Sequence, residues 1–220
     1  YYYDYMLMSQ KKKDLKNLVS AYTSIGWLYQ LEGDRRKSKD FYTKALELSR
    51  EIKDKLNEAI ALRRMAVWHI DNREYDLTLE LLIKSSEINR QRQYLPSYRY
   101  NLACDYFDIG LIFSNRNDFA AAGEFYRKSI KLFEKSKLKS ELSDYYFNMG
   151  EIYLFEKQYQ KALDYYFLGL KADFDQGNKM NLSSDYNMIG ELYLEMDSFV
   201  EAEVYLKKAL DCAREVESRP

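Results

Sequence analysis

Apolar residues recur along this chain at steps of three and four. The run Phe199, Ala202, Tyr205, Leu206, Ala209, Leu210 and Ala213 shows the pattern plainly. Such steps place every apolar side chain on one stripe of a helix and leave the opposite face to charge. Only two prolines, Pro96 and Pro220, and eight glycines occur, so long helices meet few breakers. Turn-prone pairs divide the stripes: Gly33-Asp34, Asp71-Asn72, Asn117-Asp118 and Asp197-Ser198. Aspartate, asparagine and serine at such places are expected to cap the following helix by accepting its free amide hydrogens. The corresponding pair Lys157-Gln158 offers no such cap. The pattern therefore predicts helix, short turn, helix, repeated, with roughly 14–18 residues per helix.

The repeat has a fixed period. Segments 22–29, 62–69, 106–113, 146–153 and 186–193 align on the small residues Gly26, Ala66, Gly110, Gly150 and Gly190, spaced 40, 44, 40 and 40. Nineteen residues past each comes another small residue: Ala45, Ser85, Ser129, Gly169 and Ala209. Three residues before those come the large ones Tyr42, Leu82, Tyr126, Tyr166 and Leu206. Glycine inside a helix costs about 1 kcal/mol relative to alanine. Four glycines in register therefore imply two helix backbones approaching too closely for a side chain. The expected division is residues 1–14 as the second helix of a truncated repeat, then repeats at 15–54, 55–94, 95–138, 139–178 and 179–220. The leading aromatic run around Tyr2 sits where a preceding second helix would fall, so the array is expected to continue towards the N-terminus. The 44-residue spacing predicts a longer connection around Pro96, near 91–100.

These columns resemble the tetratricopeptide repeat family. That family has a large residue, Leu-Gly and Tyr in the first helix, then Ala, an aromatic and Ala in the second. Repeat one carries Tyr22, Ile25-Gly26, Tyr29, Tyr42 and Ala45. Repeat four carries Tyr146, Met149-Gly150, Tyr153, Ala162, Tyr166 and Gly169, and repeat five Tyr186, Ile189-Gly190, Tyr193, Ala202 and Ala209. Repeat two departs most, at Ala66, His69 and Thr78. The resemblance covers nearly the whole chain. It implies an all-α fold, a right-handed α-solenoid of antiparallel helical hairpins. The period of 40 exceeds the family's usual length of about 34 residues. In this the repeats look like those of kinesin light chains, animal polarity adaptors and bacterial peptide-pheromone receptors.

What the resemblance implies for function is a non-catalytic scaffold for a protein or peptide. Stacked hairpins curve, and the first helices line the concave side. The groove-facing positions should be three before and one after the small column: Thr23 and Trp27, Arg63 and Val67, Phe107 and Leu111, Phe147 and Glu151, Asn187 and Glu191. Four residues past the small column the same face adds Gln30, Ile70, Ser114, Leu154 and Leu194. Trp27, Phe107 and Phe147 are the expected anchors, because aromatic residues dominate interface energetics. Glu151 and Glu191 favour a partner with a lysine or arginine among apolar groups. Some tetratricopeptide proteins clamp a C-terminal carboxylate with Lys and Asn at these positions; here only Arg63 would serve. Two other readings stand beside the scaffold: a sensory or regulatory domain of a longer bacterial signalling or transcription-regulating protein, and a self-associating structural module.

Charge narrows the partner class. The chain has 34 basic and 35 acidic residues, a net charge of −1, which lacks the clustered positive charge that nucleic acid requires. Its densest basic run, Lys11 to Lys13, reads as a solvated helix end. No stretch approaches the ~18–20 apolar residues of a membrane span, and the cytoplasm is the expected setting. Cys104 and Cys212 show no metal-ligand spacing and read as small packed residues. His69 stands in a column otherwise filled by Tyr29, Phe113, Tyr153 and Tyr193, which gives it a packing role. With neither a metal site, a phosphate-cradling glycine loop nor a nucleophile–base pair in view, no enzyme activity and no cofactor are expected.

Overall fold

The computed structural model describes residues 2–70, 73–135, 142–177 and 179–217. The expected Asp71-Asn72 turn lies outside them. Among the described residues there are eleven helices and no strand: α1 (Tyr2–Lys11), α2 (Leu15–Leu31), α3 (Arg35–Glu51), α4 (Lys55–Ile70), α5 (Tyr75–Arg90), α6 (Pro96–Asn115), α7 (Phe119–Glu134), α8 (Leu142–Phe155), α9 (Tyr159–Gln176), α10 (Lys179–Glu195) and α11 (Phe199–Glu217). The chain forms two compact units, Tyr1–Asn117 and Asp118–Pro220. In the first, α2 packs on α3 and α4 on α5, with α1 against α2, α3 against α4 and α5 against α6. In the second, α8 packs on α9 and α10 on α11, with α7 against α8 and α9 against α10.

Turn chemistry sets the hairpins. Each short turn places one residue in the left-handed region, at Lys13, Gly33, Lys53, Arg73, Asn117, Lys157 and Asp197. The next residue opens the following helix. Asp14, Asp34 and Asp118 accept from the backbone N–H three residues on, each at 3.1 Å, and Asp54 does the same for Asn57 at 3.2 Å. The Lys157-Gln158 turn has the same geometry without a side-chain cap, held by Gln158 N–H donating to the Tyr153 carbonyl at 2.8 Å. Backbone closure therefore suffices where the polar cap is missing. Pro96 opens α6, where its absent N–H is no loss. The 91–95 connection before it is longer than turns such as 52–54.

The small column is a contact between helices, as the sequence implies. An ideal Cβ on Gly26 would stand 2.7 Å from the Tyr42 ring, so the ring and a side chain at position 26 exclude one another. Tyr166 fills the same place over Gly150. Tyr42, Tyr126 and Tyr166 are all buried. Much of the tyrosine richness serves a second motif. Tyr22–Phe41–Tyr29, Tyr146–Tyr165–Tyr153 and Tyr186–Tyr205–Tyr193 form ring triads with centroids 5.3–6.2 Å apart. A lysine lies over a ring of each: Lys37 on Tyr29, Lys161 on Tyr153 and Lys208 on Tyr205.

Candidate functional site

The face expected to bind a partner is built differently in the two units. In the first, α2 packs against α4 and α4 against α6, so the first helices close on one another. Thr23 is buried and spends its hydroxyl on the Val19 carbonyl of its own helix, at 3.0 Å. Trp27 is 40% exposed and presents its indole to solvent. Arg63 reaches α6, where its Nε donates to Asp108 Oδ2 at 2.6 Å, a pairing the column arithmetic did not anticipate. Val67, Phe107 and Leu111 are half-buried.

In the second unit, Phe147 departs from its expected role as an anchor. It is only 7% exposed, and its ring occupies the space that a Cβ on Gly169 would need, 2.5 Å away. With Ala162, Leu163, Tyr166, Ile189 and Leu192 it forms the core between α8, α9 and α10. Gly169, a small residue in a packing column, is what draws the ring inward. Glu151 and Asn187 are exposed, and Asn187 Nδ2 donates to Glu191 Oε1 at 2.7 Å.

Glu151 and Glu191 do come together. They share a cleft of about 350 Å³ with Leu154, Tyr166, Met188, Leu192, Leu194 and Glu195. Loss of hydration on this wall pushes the Glu151 carboxyl up from its ordinary range. Burial, followed by the charges of Glu151 and Glu191, pushes the Tyr166 phenol up. The floor is thus a tyrosine hydroxyl facing two carboxylates. Leu154 and Leu194 follow from the position four past the small column. Tyr166 does not, since its column reads as pure packing. Its signal was Leu154 itself, an apolar residue where repeat one has Gln30.

A larger cleft, of about 690 Å³, lies in the first unit beside α4 and α5. Most of its charges are engaged internally. Arg116 pairs with Asp76 at 2.6 Å and covers Tyr75, and Lys39 lies 5.2 Å from the Trp68 ring. His69 is buried, set edge-on to Trp68, with Nδ1 against the Glu74 carboxylate. Among the described residues no group of three or more His, Cys, Asp or Glu is arranged to hold a metal. Cys104 and Cys212 are thiols. No described helix is long and apolar enough to cross a membrane.

Comparison with known proteins agrees with this architecture. A tetratricopeptide repeat profile matches residues 19–52, 106–136 and 143–176, and a second profile of the same description matches 186–219. No curated protein matches the sequence. Among solved structures, BtubC (BKLC) from P. vanneervenii is similar at 17% identity and TM-score 0.85, over 100% of this chain and 91% of that one. The apo form of RapI is similar at 17% identity and TM-score 0.65, over 99% of each chain. Aspartyl phosphate phosphatase F from Bacillus subtilis is similar at 16% identity and TM-score 0.77, over 96% of this chain but 55% of that one.

Proposed function

Because the chain belongs to the tetratricopeptide repeat family, we propose that it is a non-catalytic scaffold that binds a protein or peptide through surfaces made by first helices. The observation that carries this reading is the cleft between α8 and α10. It combines exposed carboxylates with an apolar wall, and Leu194 at its edge is exposed. Apolar surface rimmed by charge is the usual make-up of a recognition surface. Trp27, on a first helix of the first unit, is also exposed.

The test is site-specific photocrosslinking in a native lysate. A benzoylphenylalanine replaces Leu154 or Leu194 in the cleft, or Lys161 or Lys207 on second helices as controls. The expected result is a discrete crosslinked partner from the two cleft positions and none from the controls. Crosslinks from the second helices alone would move the binding surface elsewhere and sink this reading.

A further inference from the structure

Three tyrosines hold the same packing column, and two of them have hydroxyl partners. Tyr42 donates to Gln30 Oε1 at 2.9 Å, and Tyr126 donates to Asn148 Oδ1 at 3.3 Å. Tyr166 is 2% exposed, yet no described residue shares a hydrogen bond with its hydroxyl. The cause is local. Leu154 stands on α8 where Gln30 stands on α2, four residues past the small column, and a leucine accepts nothing. The hydroxyl lines the cleft instead, under Glu151 and Glu191. The hydroxyl is the part of this otherwise buried side chain that the cleft leaves open. Here it lies beneath carboxylates on two different helices, and neither Glu151 nor Glu195 has an ion pair with any described residue.

We infer that this cleft is a subsite for an arginine side chain of the bound peptide, with the guanidinium over the Tyr166 hydroxyl among Glu151, Glu191 and Glu195, and the methylenes along Leu154 and Met188. The inference rests on the binding role proposed above and names the group bound there. Guanidinium fits because the acceptors are spread over α8, α9 and α10. A planar fork of five N–H donors reaches several acceptors at once, whereas an ammonium offers three donors at one point. The phenol oxygen accepts one of those N–H groups while its own O–H turns to a carboxylate. The long aliphatic stem suits an apolar wall, since arginine buries its methylenes readily. Leu194 carries that wall beyond the carboxylates, which provides for neighbouring residues of a peptide rather than for a lone cation.

The experiment is an NMR titration of the ¹⁵N-labelled 220-residue chain with the blocked peptide acetyl-Leu-Arg-Leu-amide. The same peptide with citrulline for arginine and free L-arginine serve as comparisons. The expected result is saturable shifts at the amides near Gly150 and Glu191, with binding at least about tenfold weaker for citrulline, which loses the ionic contacts. Glu151→Gln with Glu191→Gln should weaken the arginine peptide at least about fivefold. Tyr166→Phe should weaken it about two- to fivefold with an unchanged melting temperature. Equal binding of the citrulline peptide, shifts confined to other regions, or full affinity in the double glutamine variant would overturn the assignment. Free L-arginine binding as tightly as the peptide would overturn the peptide as its source. Failure of the peptides alongside persistent crosslinks at Leu154 and Leu194 would remove the arginine assignment alone. Loss of those crosslinks would remove the binding role itself.

Discussion

The two units treat the same structural position differently. Each places an aspartate five residues before its small residue, on a first helix facing the preceding second helix: Asp105 in the first unit and Asp185 in the second. Asp105 is fully buried and well met, with Ser85 Oγ donating at 2.9 and 3.0 Å and Asn89 Nδ2 at 2.8 Å. In the second unit those donor positions are Gly169 and Asp173. Asp185 therefore meets a second carboxylate, one of its oxygens finds no hydrogen-bond partner among the described residues, and Asn181 donates to Asp173 instead. Burial pushes Asp105 up to about 7; for Asp185, burial and then Asp173 push the carboxyl up to about 8. Residues on and beneath the first helices of each unit repeat the contrast. Arg63 is matched internally by Asp108, while Glu151 and the Tyr166 hydroxyl are left open. The contrast holds at these positions and not for each unit as a whole, since Ser38 Oγ, Trp68 Nε1 and Asn89 Oδ1 in the first unit also find no hydrogen-bond partner among the described residues. In the second unit the open groups around the cleft are placed where a ligand would meet them.

The strongest way to break this comparison is at the close contact under the cleft. Gly150→Val drives a branched side chain into the Tyr166 ring. It should destabilise the second unit by about 3 kcal/mol, seen as a lowered calorimetric transition. Next comes Arg63→Leu, which leaves Asp108 buried without its cation. A cost of about 2 kcal/mol is expected in a denaturant melt, and adding Asp108→Leu should restore most of it. If Arg63→Leu alone is neutral, the first unit's groove is not held by that pair.

The carboxylate contrast can be swapped. Asn89→Asp should import the acid pair into the first unit and destabilise it by about 1–2 kcal/mol at neutral pH. Asp173→Asn should do the reverse, stabilising the second unit by about 1 kcal/mol. The pH dependence follows from the sign of the shift. Asp185 binds its proton more tightly folded than unfolded, so its contribution is fully present below the ordinary carboxylate range near 4 and is lost as pH rises through about 8. Stability measured from pH 4 to 8 should therefore fall less steeply in Asp173→Asn than in the parent. Asp105 retains its own slope up to about 7.

The hairpin fold was legible because it depends on periodic features. The columns at Gly26, Gly150 and Gly190, and at Tyr42 and Tyr166, state which residues touch within a hairpin. The lining of the cleft was legible only where it follows helix phase, as at Glu151, Glu191, Leu154 and Leu194. Phase alone does not reveal that Gly169 opens a hole for Phe147, or that Asp108 claims Arg63 across helices. Nor does it show that Tyr166 lacks a partner, since that depends on the side chain opposite, Leu154 instead of Gln. Each miss is a pairing between columns, which a single-helix reading does not contain.

The smallest expected effect tests the central claim most directly. Tyr42→Phe removes a hydroxyl that serves the fold, and Tyr166→Phe removes one that we assign to a ligand. Their thermal unfolding should be compared side by side without any ligand. The account predicts a loss of about 1 kcal/mol for Tyr42→Phe and no measurable loss for Tyr166→Phe. An equal loss in both would show that the Tyr166 hydroxyl already has a partner within the fold, and would contradict the assignment of the cleft floor to recognition.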